Sequence, residues 1–147
     1  TDADATMYPA DTPVLLTGIT KDNIDKAGTQ GTLKTSLQTI RDITNPTVVV
    51  MRVSNADNVD VLDELLACQS RLGVIPKILG GPEIDTPAVV RKLVSIAKRR
   101  RAFVCASPRK DDGTLITDKT EIAAYRDTFG DRELMLIENQ WGKPLGK

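Results

Sequence analysis

Short apolar runs alternate with helix-periodic segments along most of the chain. The first run, Pro13-Val14-Leu15-Leu16-Thr17-Gly18-Ile19, reads as a strand closed by Gly18 and by the polar stretch Thr20 to Lys26. A helix fits Gly31 to Ile43, where Leu33, Leu37, Ile40 and Ile43 share one face, and Asn45-Pro46 stops it. The run Thr47-Val48-Val49-Val50-Met51-Arg52-Val53 is nearly continuous in apolar residues, the signature of a strand buried on both faces. A second helix, about Asn58 to Leu72, carries Val61, Leu65, Cys68 and Leu72 on a stripe widened by Leu62 and Leu66, with Gly73 as a left-handed cap.

The alternation then repeats. Lys77-Ile78-Leu79 is a brief strand ending in Gly80-Gly81-Pro82. Asp85 or Thr86 is the N-cap of a third helix, Pro87 occupies its first turn, and Val89, Leu93, Ile96 and Ala97 form its stripe. Ala102 to Ala106 reads as the fourth strand, followed by a polar loop from Ser107 to Thr117 that turns at Asp111-Asp112-Gly113. Asp118 and Glu121 are spaced as a capping box for a helix bearing Ile122, Tyr125 and Phe129, and Glu133 to Ile137 forms the fifth strand. Five strands separated by four helices predict an α/β fold: a doubly wound, mostly parallel sheet with helices on both faces.

Composition narrows the chemistry. The 147 residues contain 20 Lys+Arg, 20 Asp+Glu and no histidine. A Ser-His-Asp or Cys-His nucleophile is therefore impossible within this chain, as is a His-containing metal site. The zero formal charge argues against a nucleic-acid partner, which calls for excess Lys and Arg. Cys68 and Cys105 lie singly inside apolar stretches and read as small buried hydrophobes. No apolar run approaches the ~20 residues of a membrane span, so no membrane insertion is expected.

In open α/β sheets ligands bind at the carboxyl ends of the strands, so the loops there are the candidate sites. Ala27-Gly28-Thr29-Gln30-Gly31-Thr32 lacks the GKS or GKT ending of a P-loop; it reads as a turn with Thr29 or Thr32 capping a helix, with anion capture as the alternative. Gly80-Gly81 reads as a sharp turn, or as a place where a ligand approaches the backbone. Asp111, Asp112 and Asp118 lack the regular oxygen spacing of a calcium loop, and neither a metal nor a cofactor is expected. Lys98-Arg99-Arg100-Arg101 is the strongest local charge feature: a dipole-matched helix end, or one half of an electrostatic contact between copies. Asp60, Asp63 and Glu64, beside Asp57, are the candidate other half on a neighbouring copy.

Several segments together resemble the tail sheath proteins of contractile-tailed bacteriophages, in the branch of Mu-like and related prophage tails. They are TPVLLTGI (Thr12–Ile19), GTLKTSLQTI (Gly31–Ile40), PTVVVMRV (Pro46–Val53), LLACQSRLGVIPKILGGPEIDT (Leu65–Thr86), RAFVCASP (Arg101–Pro108) and AYRDTFGDRELMLI (Ala124–Ile137). The resemblance implies an internal piece of a longer protein. It divides the chain into a leading segment 1–12, an α/β domain 13–138 of subtilisin-like topology, and a tail 139–147 leading to a further part. One departure lies at the end, where Trp141 comes late and no proline directly follows the last strand.

The implied role is structural rather than enzymatic. Copies would polymerise helically around a tail tube and contract to drive it through the host envelope during genome delivery. The implied partners are other copies of the chain, the tube protein, and baseplate and terminator proteins. The implied places are the virion and, during assembly, the host cytoplasm. Without linking arms, this chain alone is expected to be a soluble monomer or weak oligomer. The alternatives are a nucleotide- or phosphate-binding α/β domain, and a sheath subunit of a tailocin or secretion-type contractile device.

Overall fold

The structure, a computed structural model, describes residues 2–138; the expected tail 139–147, with Trp141, lies outside the described residues. The chain divides into two compact units at Pro76/Lys77. Each contains both helix and strand.

The first unit contains β1 (Pro13–Leu16), α1 (Lys21–Asp25), α2 (Leu33–Ile43), β2 (Val48–Met51), a 3-10 helix (Val59–Ala67) and α3 (Cys68–Leu72). Its two strands pair antiparallel, Pro13 opposite Met51 and Leu16 opposite Val48. Here the expectation of parallel pairing fails, and so does burial of the second strand on both faces: of Val48–Met51 only Val50 is buried. A continuous apolar run does not encode strand direction, and a lone two-stranded pair has no second layer to bury both faces. Tyr8, Leu16, Ile19, Ile24, Ala27, Leu37 and Val50 form the core. Ile43, expected on the α2 stripe, is instead 67% exposed at the helix end.

Two helices differ from the periodicity. Thr20 to Lys26, read only as a polar stretch closing the first strand, contains the five-residue α1. Thr20 and Asn23 form its capping box: Asn23 N–H donates to Thr20 Oγ1 at 3.2 Å and Thr20 N–H to Asn23 Oδ1 at 2.8 Å. Asparagine fills the place where Glu or Gln signals such a box. The helix expected over Asn58–Leu72 is a 3-10 helix as far as Ala67, and only α3 is α-helical. With three residues per turn, Val59, Leu62, Leu65 and Cys68 align, and Leu62 and Cys68 of these are buried. Gly73 caps α3 in the left-handed region as expected, at φ 72°.

The second unit contains β3 (Ile78–Leu79), α4 (Pro87–Arg100), β4 (Phe103–Ala106), α5 (Lys119–Asp127) and β5 (Leu134–Leu136). Its strands form a parallel sheet in the order β3-β4-β5, with Leu79 beside Val104 and Val104 beside Leu134. α4 buries Val89, Val90, Leu93, Val94, Ile96 and Ala97. Burying six such side chains is worth roughly 1.5–3 kcal/mol for each of the larger ones. Asp118 caps α5 by accepting from the Thr120 and Glu121 amides at 2.9 and 3.0 Å. The reciprocal half of the expected box is absent, because the Glu121 carboxylate pairs with Lys110 at 3.1 Å.

Candidate functional site

The basic run ends α4. Lys98 donates to Asp131, and this hydrogen bond raises the lysine's pKa above its ordinary value. The Arg100 carbonyl accepts from Lys77 Nζ at 2.8 Å. Arg99 and Arg101 are exposed. Arg101 is also the C-cap, held at φ 50°, ψ 50°, a left-handed conformation that usually selects glycine. A shallow groove of about 430 Å³ runs beside the patch, lined by Arg91, Lys98, Arg99, Phe129 and Asp131 among others. Arg91 lies 5.3 Å from the centre of the Phe129 ring, a cation–π distance.

The acidic residues lie in the other unit, on the 3-10 helix. Asp60 and Asp63 are exposed. Glu64 pairs with Arg71 at 2.5 Å, so it already has an intramolecular partner. Beside them, a second shallow cavity of about 390 Å³ is lined by Asp11, Thr12, Asp60, Val61, Glu64 and Arg71.

The glycine loops have structural occupants. In Gly28–Thr32 the backbone does hold an anion, and that anion is the chain's own Asp2 carboxylate. It accepts from the Thr29 amide at 2.8 and 2.9 Å, from Thr29 Oγ1 at 2.7 Å and from the Gln30 amide at 2.7 Å. These bonds, the Thr29 hydroxyl first, hold the Asp2 pKa well below the usual carboxylate range. Thr32 is the N-cap of α2 but makes no side-chain cap bond. Gly80-Gly81 makes the turn into α4: the Ile84 amide donates to the Gly81 carbonyl at 3.1 Å. In the third loop, Asp112 accepts from the Thr114 amide at 2.8 Å and Asp118 serves as a cap. Among the described residues no group of three or more Asp, Glu, Cys or His could hold a metal ion.

Of the two residues expected as alternatives for the α4 cap, Asp85 has a different place. It does not cap α4. Thr86 is the N-cap, without a side-chain bond, and Asp85 is buried, accepting from the Ser107 amide at 2.6 Å and from Arg109 Nε at 2.7 Å. Nearby charge also reaches Tyr125, whose buried hydroxyl has no hydrogen-bond partner among the described residues. Its pKa is pushed up to about 12, by burial first and by the Asp85 charge second. The Asp85–Arg109 pair links the loop after β3 to the loop after β4, and no local pattern announces it.

Comparison with known proteins decides the family. The chain is 36% identical over 159 aligned residues to the tail sheath protein of Escherichia phage P2, covering 92% of this chain. It is 37% identical over 158 aligned residues to the major tail sheath protein of Serratia phage KSP20, again covering 92% of this chain. The chain belongs to the phage tail sheath family. It spans 39% and 38% of the lengths of these two curated relatives. No family model and no solved structure matches it. Within the sheath chain, the segments behind the resemblance fall in both units, from β1 through β5. Among the described residues no helix is long and apolar enough to cross a membrane.

Proposed function

We propose that this chain is a structural module of a tail sheath subunit, with no catalytic role. The observation that carries the reading is its likeness, over 92% of its length, to two proteins named as tail sheath proteins. In this reading, subunits carrying the chain polymerise helically around the tail tube in the virion, after assembly in the host cytoplasm. Contraction then drives the tube through the host envelope and delivers the genome. Head-to-tail contacts that do not close produce such a helix, and a switch between two packings of rigid subunits supplies the stroke. Tube, baseplate and terminator proteins are the further partners. Residues 13–138 act as one α/β domain, doubly wound and subtilisin-like once the rest of the subunit is added.

Contacts between copies would pair Lys98, Arg99, Arg100 and Arg101 with Asp60, Asp63 and Glu64 of a neighbour. Supporting this, Arg99 and Arg101 project into solvent and Arg101 retains its charge in a backbone conformation that favours glycine. The test is charge reversal in a whole-length subunit. Arg99→Glu with Arg101→Glu should abolish sheath polymers in electron micrographs, and adding Asp60→Arg with Asp63→Arg should restore them. Polymers of normal yield from the arginine variant alone would remove the patch from the interface.

A further inference from the structure

The charge balance of the chain does not hold within either unit. Residues 1–76 carry 6 Lys+Arg against 10 Asp+Glu, a net charge of −4, and residues 77–147 carry 14 against 10, a net charge of +4. In each unit one helix concentrates the excess. Arg91, Ser95, Lys98 and Arg99 recur at helical spacing on the exposed face of α4, opposite its buried stripe. They line the shallow groove of about 430 Å³ together with Phe129 and Asp131. Lys98 engages Asp131, and Arg91 lies 5.3 Å from the centre of the Phe129 ring, which holds its guanidinium at the groove. Arg91 stands outside the run Lys98–Arg101, yet it shares one helix face with the first two members of that run.

The 3-10 helix offers the matching surface. Three residues per turn stack every third side chain in one row, ~6 Å apart. Asp60 and Asp63 share such a row, Asp57 leads into it, and all three are exposed. α4 advances ~5.4 Å per turn, so the two helices present their charges at nearly the same step and fit side by side. We propose that the groove between α4 and Phe129 is the seat for the 3-10 helix of a neighbouring copy. Copies then join head to tail, the negative unit of one on the positive unit of the next. Two-fold pairing of like units would set −4 against −4 or +4 against +4, which charge repulsion disfavours. A head-to-tail contact instead leaves one groove and one acidic row open at the two ends of every row of copies, as a growing helix requires. The inference rests on the charged contact proposed above and deepens it, adding Arg91 and Phe129 to the basic side and fixing which element enters.

The test is cross-linking between whole-length subunits that carry their probes separately. One batch carries Ser95→Cys and the other Asn58→Cys, both exposed positions whose replacement removes no charge. The batches are assembled together into sheath and treated with a short bismaleimide. The proposal expects at least a tenfold excess of cross-linked dimer from the mixture over either variant alone, and loss of that excess when Arg91→Glu is added to the first batch. The same two variants of the 147-residue chain, mixed at low salt, should cross-link at least tenfold faster than at about 1 M salt, where charge attraction is screened. A failure of assembly therefore leaves the test readable. No excess in either form would overturn the proposal, and an excess that survives Arg91→Glu would do so as well. Cross-linking confined to single chains that bear both cysteines would place the contact inside one copy and overturn it too. The basic patch is judged separately. Polymers lost in Arg99→Glu with Arg101→Glu, without the cross-link, would keep the patch in an interface with a different surface, whereas polymers retained there would remove patch and seat together.

Discussion

The two units of the sheath chain are ordered by different means. In residues 2–76 the polar side chains of loops hold the backbone. Asp2 grips Thr29 and Gln30, Asp4 accepts from the Thr6 and Met7 amides, and Asn45 accepts from the Ile19 amide at 2.6 Å. Arg52 donates to the Tyr8 carbonyl at 2.8 Å, and the Tyr8 hydroxyl to the Asn23 carbonyl at 2.9 Å. In residues 77–138 a single 14-residue helix lays an aliphatic stripe on a parallel sheet. The first unit has shorter helices that bury little apolar area each, so its turns must be fixed by hydrogen bonds. The second has enough continuous surface to be fixed by burial, and concentrates its buried charge in one pair.

That concentration gives the largest expected effect. Asp85→Ala leaves Arg109, 14% exposed at its side chain, without its carboxylate and the Ser107 amide without its acceptor. Removing one partner of a buried pair costs about 3–5 kcal/mol, so urea unfolding should show a loss of that order. The control Asp118→Ala, which removes an exposed cap from α5, should cost only about 1 kcal/mol. Equal losses would mean that the buried pair is no more than another surface contact.

How far this contrast was legible follows from range along the chain. α4 was readable in full: Pro87 at its start, a regular apolar stripe and a basic end all agree. The ties of the first unit span 27 residues for Asp2–Thr29, 26 for Asn45–Ile19 and 44 for Arg52–Tyr8, and have no periodic trace. Tyr8, assigned to a leading segment, is 1% exposed in the core, because a single aromatic carries no pattern. The leucines of 59–67 satisfy spacings of three and four at once, so the 3-10 helix could not be told from an α-helix. At the candidate site, the run Lys98–Arg101 was visible as charge. The burial of Asp85 was hidden by its place beside a good cap residue.

The next effect tests the carboxylate clasp of the first unit. Gly28 has φ +77°, and a Cβ there would lie 2.5 Å from Asp2 Oδ1 and 2.7 Å from the Ala3 amide nitrogen. Gly28→Ala should therefore cost about 2 kcal/mol through backbone strain, seen as a lower melting temperature. Adding Asp2→Ala should not restore it, because the Ala3 backbone remains in the way. Recovery in the double variant would show that the clasp, and not the backbone, sets the position of that loop.

Acid should separate the units further. Asp2, Asp4 and Asp11 all have pKa values below the ordinary 3.8, from bonds donated chiefly by Thr29, Met7 and Ser54 respectively. A carboxylate whose folded pKa is depressed stabilises the fold above 3.8, and that contribution is lost as pH falls below it toward the folded value. In the second unit Asp112 is depressed in the same way, by the Thr114 amide in its own turn. Amide exchange below pH 3.8 should thus quicken first at Thr29, Gln30, Met7 and Ser54, before Val104 and Ala106. Simultaneous loss in both sets would contradict the division of labour argued above.

The smallest effect comes from a matched pair of helix ends. α3 in the first unit stops at Gly73, φ 72°, and α4 in the second stops at Arg101, φ 50°. Both are left-handed caps, where a side chain costs roughly 1 kcal/mol or more that glycine avoids. A Cβ at Gly73 would meet nothing within 4 Å, so Gly73→Ala measures that backbone cost with little steric interference. It should destabilise by about 1 kcal/mol. Arg101→Gly should do the reverse, raising stability by about 0.5 kcal/mol once the greater freedom of the unfolded glycine is subtracted. If the arginine is kept for its charge, the stabilised variant should polymerise less well in the whole-length subunit, with stability and assembly moving in opposite directions. If both improve together, Arg101 has no role between copies, and the basic patch contracts to the residues before it.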